Sequence, residues 1–329
     1  MREIGWEQLM GRFVQKARGK PQIVKVMVEL TYGCNLRCVH CYNPTHQARG
    51  ELTTKQVLKI LDDLQTEGSL HVGFTGGELF TRNDAGAILR YAKQLGFVIN
   101  ILTNATLITP SLADQIREIN PYLVEVSVYG ATAGTYESVT RVPGSFGKFV
   151  KGVDLLSARN VPVMLKLVLM TLNAHELEAM KAFAKIRRLR YKFSTEILPK
   201  VDGSLEPLSY RLPPDRIFEI WRKEVGQGIR DFAMESGNNG REEAREREGC
   251  GRHGTLFACG CGKSQAAITP HGKLNLCLSV YQPLYDLTKG SMKKGWQNLV
   301  RMVAQARPRP RYECPDCSLS KYCTRGVGD

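Results

Sequence analysis

Between residues 23 and 198 the chain alternates β-rich and helix-patterned stretches so regularly that few folds remain open to it. Strand-like runs are expected at 23–30, 71–75, 98–103, 123–129, 162–170 and 192–198. Helical spacing fills the intervals at 53–67, 84–95, 111–119, 146–160 and 174–188, with Thr53 as an N-cap and Gly96 as a stop. Strict alternation predicts an α/β fold, a parallel sheet with its helices outside. Periodicity does not separate an open sheet from a barrel. Both put ligands at the carboxyl ends of the strands.

The loop after the first strand holds Cys34, Cys38 and Cys41 in a C-x3-C-x2-C array, between Thr31 and Tyr42. Thiolate sulfur selects iron–sulfur clusters, zinc or copper(I), and three thiols so close in sequence can converge on one such centre. Gly33, just before the array, helps the loop to turn. A structural site normally fills all four ligand positions from the protein, whereas a cubane held by three cysteines leaves one iron open for chemistry. A zinc ion completed by His40 or His46 is the bland alternative.

This array, with His40 as the ring before its last cysteine, resembles the radical S-adenosylmethionine (radical SAM) superfamily. The resemblance implies a partial (β/α)6 TIM-type barrel. It also implies a [4Fe–4S] cluster on Cys34, Cys38 and Cys41 whose open iron is chelated by SAM. In that family one electron splits SAM to methionine and a 5′-deoxyadenosyl radical, which abstracts hydrogen from an unactivated carbon. A flavodoxin or ferredoxin-type donor is implied as the electron source. The protein binds, orients and shields the cofactor.

Further positions match the family. Gly76-Gly77-Glu78, at the end of the second strand, looks like its G-G-E motif, which holds the methionyl amine of SAM; Leu79 stands where the family usually has proline. Thr103-Asn104-Ala105 is similar to its Thr-Asn-Gly. Ser127 matches a serine that contacts the SAM ribose or carboxylate, and Arg141 an arginine that pairs with that carboxylate. Lys166 and Asn173 resemble positions for which the pattern gives no role. Without the resemblance these are a glycine turn with an acid beside it, a packed strand serine and a solvated loop arginine.

Ten cysteines fall into two groups, with none in the 208 residues between Cys41 and Cys250. Short spacings within the groups point to metal rather than a disulfide framework. Cys261 and Cys277 frame a C-x10-G-x4-C hairpin, expected as strands at 265–269 and 273–278, and Cys314, Cys317 and Cys323 form C-x2-C-x5-C after a helix near 296–306. This combination resembles the SPASM domain, a carrier of auxiliary [4Fe–4S] clusters in peptide-modifying radical SAM enzymes. The fuller pattern adds cysteines where Val327 and the end at Asp329 stand here, so one auxiliary cluster is the minimum expectation. Cys261, Cys277, Cys314 and Cys317 could form it in the shorter twitch arrangement. Alternatively Cys259, Cys261 and Cys277 serve one cluster and Cys314, Cys317 and Cys323 another, with Cys250 available to the first. A structural zinc ribbon fits C-x2-C locally.

The expected organisation is a lead-in at 1–22, the radical SAM barrel at 23–200, a bridge at 201–250 and the SPASM/twitch-like region at 251–329. Within the bridge a helix is expected at 213–225, followed by a flexible solvated segment at 226–249. No run of 18 uncharged apolar residues and no signal-peptide core appear, so a cytoplasmic protein with no membrane partner is expected. Net charge is +14, partly from Lys181, Lys185, Arg187, Arg188, Arg190 and Lys192. Such a surface could attract nucleic acid, an acidic peptide or an anionic electron donor. No basic–aromatic stripe or nucleic-acid motif accompanies it, so nucleic acid is not an expected partner.

The resemblance to this pairing of modules implies an enzyme that modifies a ribosomal peptide by hydrogen abstraction, giving a thioether or carbon–carbon crosslink, an epimer or an oxidation. A separate leader-recognition protein is an expected partner, because the lead-in is too short to form that domain. Tyr129 and Cys250 are the candidates for returning a hydrogen atom. The alternative is an oxidoreductase on a small molecule, or a step in tetrapyrrole or molybdopterin assembly.

Overall fold

The computed structural model describes residues 21–235, 257, 259–282 and 284–307. Its centre is a nine-stranded sheet. β1 (Lys25–Thr31), β2 (His71–Gly76), β3 (Val98–Thr103), β4 (Leu123–Val128), β5 (Val163–Val168) and β6 (Arg190–Ser194) lie side by side in chain order, all parallel. The free side of β1 is taken by β7 (Gln265–Ile268), also parallel, after which β8 (Lys273–Asn275) and β9 (Tyr285–Asp286) follow antiparallel. The C-terminal hairpin therefore continues the barrel's own sheet.

Each crossover carries helix: α1 (Thr54–Thr66), α2 (Ala85–Gln94), α3 (Pro110–Ile119), α4 (Ala133–Thr140) with α5 (Ser145–Ser157), and α6 (Leu177–Ile186). α1 shows how sequence sets them. Thr53 caps it in a reciprocal box with Gln56, and Val57, Ile60, Leu61 and Leu64 recur at helical spacing to face the sheet. Burying each contributes roughly 1.5–3 kcal/mol. One face of the strands meets these helices through residues such as Val28, Phe74, Ile101, Val126 and Leu165, all buried in one core. The other face carries Lys25, Glu29, Asn100, Glu125, Ser127 and Lys166. Lys25 on β1 feels the charge of Glu125 on β4, three strands away, so the sheet is rolled into a partial barrel with that polar face inward. Among the described residues β6 has a paired neighbour on one side alone, and the sheet they form is unclosed.

Several boundaries differ from the sequence reading. The sixth strand is Arg190–Ser194 rather than 192–198, and Ile197 instead packs with Val139, Val168 and Met170. α4 was not expected; Thr132 starts it by accepting from the Thr135 N–H. Residues 174–176 form a 3-10 turn before α6. α7 (Pro214–Glu235) runs ten residues past the expected end at 225, through Gly226 and Gly228. Each interior glycine costs about 1 kcal/mol, which the good helix formers around them offset. α8 (Met292–Gln305), begun by Ser291, packs Trp296, Leu299 and Val303 into the same core. No helix among the described residues is long and apolar enough to cross a membrane.

Candidate metal centre

The cysteine loop leaves the carboxyl end of β1 and is tied down from several sides. Cys34 N–H donates to the His46 carbonyl at 3.3 Å, Arg37 N–H to Thr140 at 2.9 Å, Val39 N–H to Val139 at 3.0 Å, and Cys41 N–H to Cys38 at 3.1 Å. The end of α4 thus anchors the array, and Arg141 follows directly as that helix's left-handed C-cap, exposed. Asn43 clamps the far side, donating to the Tyr32 carbonyl at 2.6 Å and accepting from the N–H groups of Thr45 and His46.

Gly76 and Gly77 carry the end of β2 against this loop. Gly77 N–H donates to the Thr31 carbonyl at 2.7 Å and Glu78 N–H to Gly33 at 2.8 Å. A Cβ on Gly76 would run into the Thr31 carbonyl, and one on Gly77 into that of Gly33. This is where glycine is required.

The Glu78 carboxylate is 1% exposed and fully engaged within the protein. It accepts from Thr103 Oγ1 at 2.9 Å, from Asn104 N–H at 2.7 Å and from Phe80 N–H at 3.2 Å. Burial lifts its pKa to about 7 against the lowering effect of these donors. The Asn104 side chain reaches the cysteine loop, donating to Asn35 Oδ1 at 3.1 Å and accepting from Thr106. The next residue, Ala105, has φ +60, the left-handed conformation that suits glycine. Leu79, fully buried, opens a 3-10 turn.

Ser127 and Tyr129 sit at the end of β4. The Tyr129 phenol faces Cys38 and Ser127, and its ring lies 5.0 Å from that of His40. Burial depresses the His40 pKa to about 4, aided by the charge of Lys166, and its Nδ1 has no partner among the described residues. Asn173 joins strand ends, donating to the Tyr129 and Val168 carbonyls at 2.9 and 2.8 Å. Its place near the site is therefore structural.

The second group stands on either side of β7. Cys261 bridges to Gln265, and Cys277 follows β8, which brings Cys259, Cys261 and Cys277 into mutual hydrogen bonding. Sharing of the Cys261 proton holds Cys259 down at about 6 and Cys277 at about 7, while Cys261 itself is pushed up. Register places this group beside the amino end of β1, since Lys25 pairs with Gln265. From Cys277 the chain crosses the barrel mouth: Ser279 Oγ donates to Glu196, just past β6, at 3.3 Å. Cys250, Cys314, Cys317, Cys323 and most of the 1–22 lead-in lie outside the described residues.

Residues 28–184, from β1 to α6, match the Radical SAM superfamily. That segment is a radical SAM domain. An AdoMet-dependent heme synthase of Methanosarcina barkeri is 32% identical over 159 residues, covering 48% of this chain and 46% of its own length. The chain thus spans less than half of that relative. Mycofactocin maturase MftC of Mycobacterium tuberculosis is 25% identical over 321 residues, covering 95% of this chain and 80% of the relative. Streptococcus suis SuiB, solved with S-adenosylmethionine and with precursor peptide SuiA, superposes with TM-score 0.71 over 99% of this chain at 16% identity. It covers 79% and 77% of those chains. That likeness is one of fold.

A radical SAM domain implies a [4Fe–4S] cluster and SAM, and the donor set fits. Cys34, Cys38 and Cys41 are free thiols at the strand ends. Burial pushes Cys34 up to about 12 and Cys41 to about 11, the opposite of what a bound cation would do, so iron would supply the missing charge. Among the described residues no three His, Cys, Asp or Glu side chains converge as round a single ion.

Sequence reasoning overlooked a polar group beside this centre. Glu29, buried on the inner face, accepts from the Tyr42 hydroxyl at 2.6 Å, and burial raises its pKa to about 7. Tyr281 lies close to Glu29, Tyr32 and Cys41, its hydroxyl buried without a partner among the described residues. A strand acid and a loop tyrosine 252 positions apart give no local signal that they meet.

Proposed function

We propose that this chain is a radical SAM maturase that abstracts hydrogen from a ribosomal peptide and leaves a crosslink, epimer or oxidised residue. Cys34, Cys38 and Cys41 hold the SAM-binding cluster; Gly76, Gly77, Asn104, Ser127, Arg141 and the His40 ring form the SAM cradle, with Glu78 bracing its floor. The bound cofactors supply one-electron cleavage of SAM to a 5′-deoxyadenosyl radical. The protein keeps water out at the strand ends and fixes the target carbon against the adenosyl group. Tyr129, packed against His40 and facing Cys38, lines that chamber as the candidate for returning a hydrogen atom.

The observation that carries this reading is the second thiol group, built onto the barrel's own sheet in a chain that aligns along 95% of its length with a maturase. Cys259, Cys261 and Cys277 then ligate an auxiliary [4Fe–4S] cluster in a twitch or SPASM-type region. Cytoplasmic residence, a flavodoxin or ferredoxin-type donor and a separate leader-recognition protein complete the proposal.

The test is anaerobic reconstitution with iron and sulfide, then SAM, a reductant and any short peptide found encoded beside the gene. A peptide mass change that tracks 5′-deoxyadenosine formation is expected. A second reading, oxidation of a small molecule such as a tetrapyrrole, is favoured by the 32% identity of the barrel to a heme synthase. Turnover with tetrapyrrole carboxylates and none with the peptide would replace the first reading by the second.

A further inference from the structure

The inner face of the barrel holds more positive charge than its own acids neutralise. β4, β5 and β6 pair so that Ser127, Lys166 and Lys192 form one row across the three strands. Like charges directly opposite each other on neighbouring strands are destabilising. Lys192 Nζ is paired with Glu125 on β4, at 2.7 Å, and that bond passes over β5. Both side chains and Lys166 therefore share the inner face. Lys166 has no hydrogen bond or ion pair among the described residues, yet it is only partly exposed, and desolvation lowers its pKa. Lys25, which feels both Lys192 and Glu125, adds a third ammonium to the chamber.

The remaining acids offset this only in part: the charges of Glu125 and Glu196 reach Lys166 but do not outweigh its burial. Glu29 is held at about 7 by burial and is bonded to Tyr42. Glu196, past the end of β6, accepts from Ser279. An unpaired ammonium away from water is costly, and a sequence that places two lysines face to face breaks a local rule. Such conflicts are kept where a ligand resolves them. The row lies at the level of Ser127, one residue from the end of β4, where ligands of parallel α/β sheets bind.

We infer that Lys166, supported by Lys192, receives a carboxylate of the substrate, placing an acidic side chain or a free chain terminus of the peptide beside the reacting carbon. This deepens the maturase reading and rests on it. A compact ammonium on a flexible stem suits a carboxylate that arrives at varied angles. Where the carboxylate is a side chain, the row selects acidic over neutral peptides.

The test uses reconstituted holoprotein saturated with SAM, so that any hold on the SAM carboxylate is already satisfied. Trace labelling with acetic anhydride reports the reactivity of each lysine by mass spectrometry. N-acetyl-alanine presents a terminal carboxylate, N-acetyl-aspartic acid diamide's monoacid analogue (N-acetyl-aspartate α-amide) a side-chain one, and N-acetyl-alanine amide serves as neutral control. At constant ionic strength, at least one acid is expected to slow Lys166 labelling about fourfold or more relative to the control, with exposed Lys59 unchanged. Whichever acid protects better names the source of the carboxylate. Protection should weaken in Lys192→Met, whose Lys166 remains to be read. Equal labelling of Lys166 with acids and control, or protection complete with SAM alone, would overturn the inference. No peptide turnover enters this measurement, so it can fail while the maturase reading stands, and the reverse.

Discussion

Cys34, Cys38 and Cys41 ride on a loop whose backbone is tied to α4, His46 and the end of β2, and burial keeps Cys34 and Cys41 well above the ordinary thiol range. Cys259, Cys261 and Cys277 instead flank one strand and exchange hydrogen bonds, which lower the thiol pKa of Cys259 and Cys277. The first group is held by its surroundings and needs a cation to become thiolate. The second is held by its own members and reaches thiolate without one. Rigid backbone support suits a centre where geometry must survive turnover; shared protons suit a centre that has only to take up metal and pass electrons.

The largest expected effect separates the two groups by function. Cys34→Ala should abolish SAM cleavage, at least about 100-fold, measured as 5′-deoxyadenosine, because the cluster loses one of three ligands. Cys261→Ala should keep basal SAM cleavage within about threefold while losing peptide modification. Equal losses in both variants would erase the distinction. A second prediction works in metal-free protein. Cys259, lowered to about 6, is mostly thiolate at pH 7.5, whereas Cys34, raised to about 12, is almost entirely thiol. Iodoacetamide should therefore label Cys259 at least about 100-fold faster. Its rate should level off above pH 7, while that of Cys34 should still climb at pH 10.

Gly77→Ala tests the support itself. Its new methyl meets the Gly33 carbonyl and must part the ends of β1 and β2. SAM affinity should fall by about tenfold or more in a binding titration, with Cys259 labelling unchanged. The smallest effect comes from Ala105→Gly. Releasing a left-handed φ of +60 should add about 1 kcal/mol of stability, less the packing of one buried methyl, read by chemical denaturation. A loss of stability there would show that the methyl outweighs the strain.

Much of this design could be read before the structure. The Thr53 cap, the stop at Gly96 and the first three strands carry strong local patterns, and they fall within a residue or two of their places. The sixth strand was misplaced because its exposed residues, Arg190 to Lys192, hide an edge strand, while the apolar Ile197 beyond it packs in a satellite core. α4 was invisible because Ala-Gly-Thr-Tyr-Glu-Ser-Val-Thr has weak helix formers and little amphipathic pattern. At the site, spacing exposed the cysteines and glycines. It could not show that Glu78 is bonded to Thr103 and Asn104, or that β7 would pair with β1, since four residues, Gln-Ala-Ala-Ile, carry no address.

The strand order also governs how the chain comes into being. β1 is the first strand of the sheet to leave the ribosome, yet its second neighbour, β7, is made only after the other five barrel strands. At ordinary synthesis rates that delay lasts on the order of tens of seconds. Throughout it the strand carrying the cysteine loop has an uncovered edge, open to stray pairing and to incoming iron alike. Nascent chains should therefore be most aggregation-prone, and the first cluster easiest to insert, before residue 265 emerges.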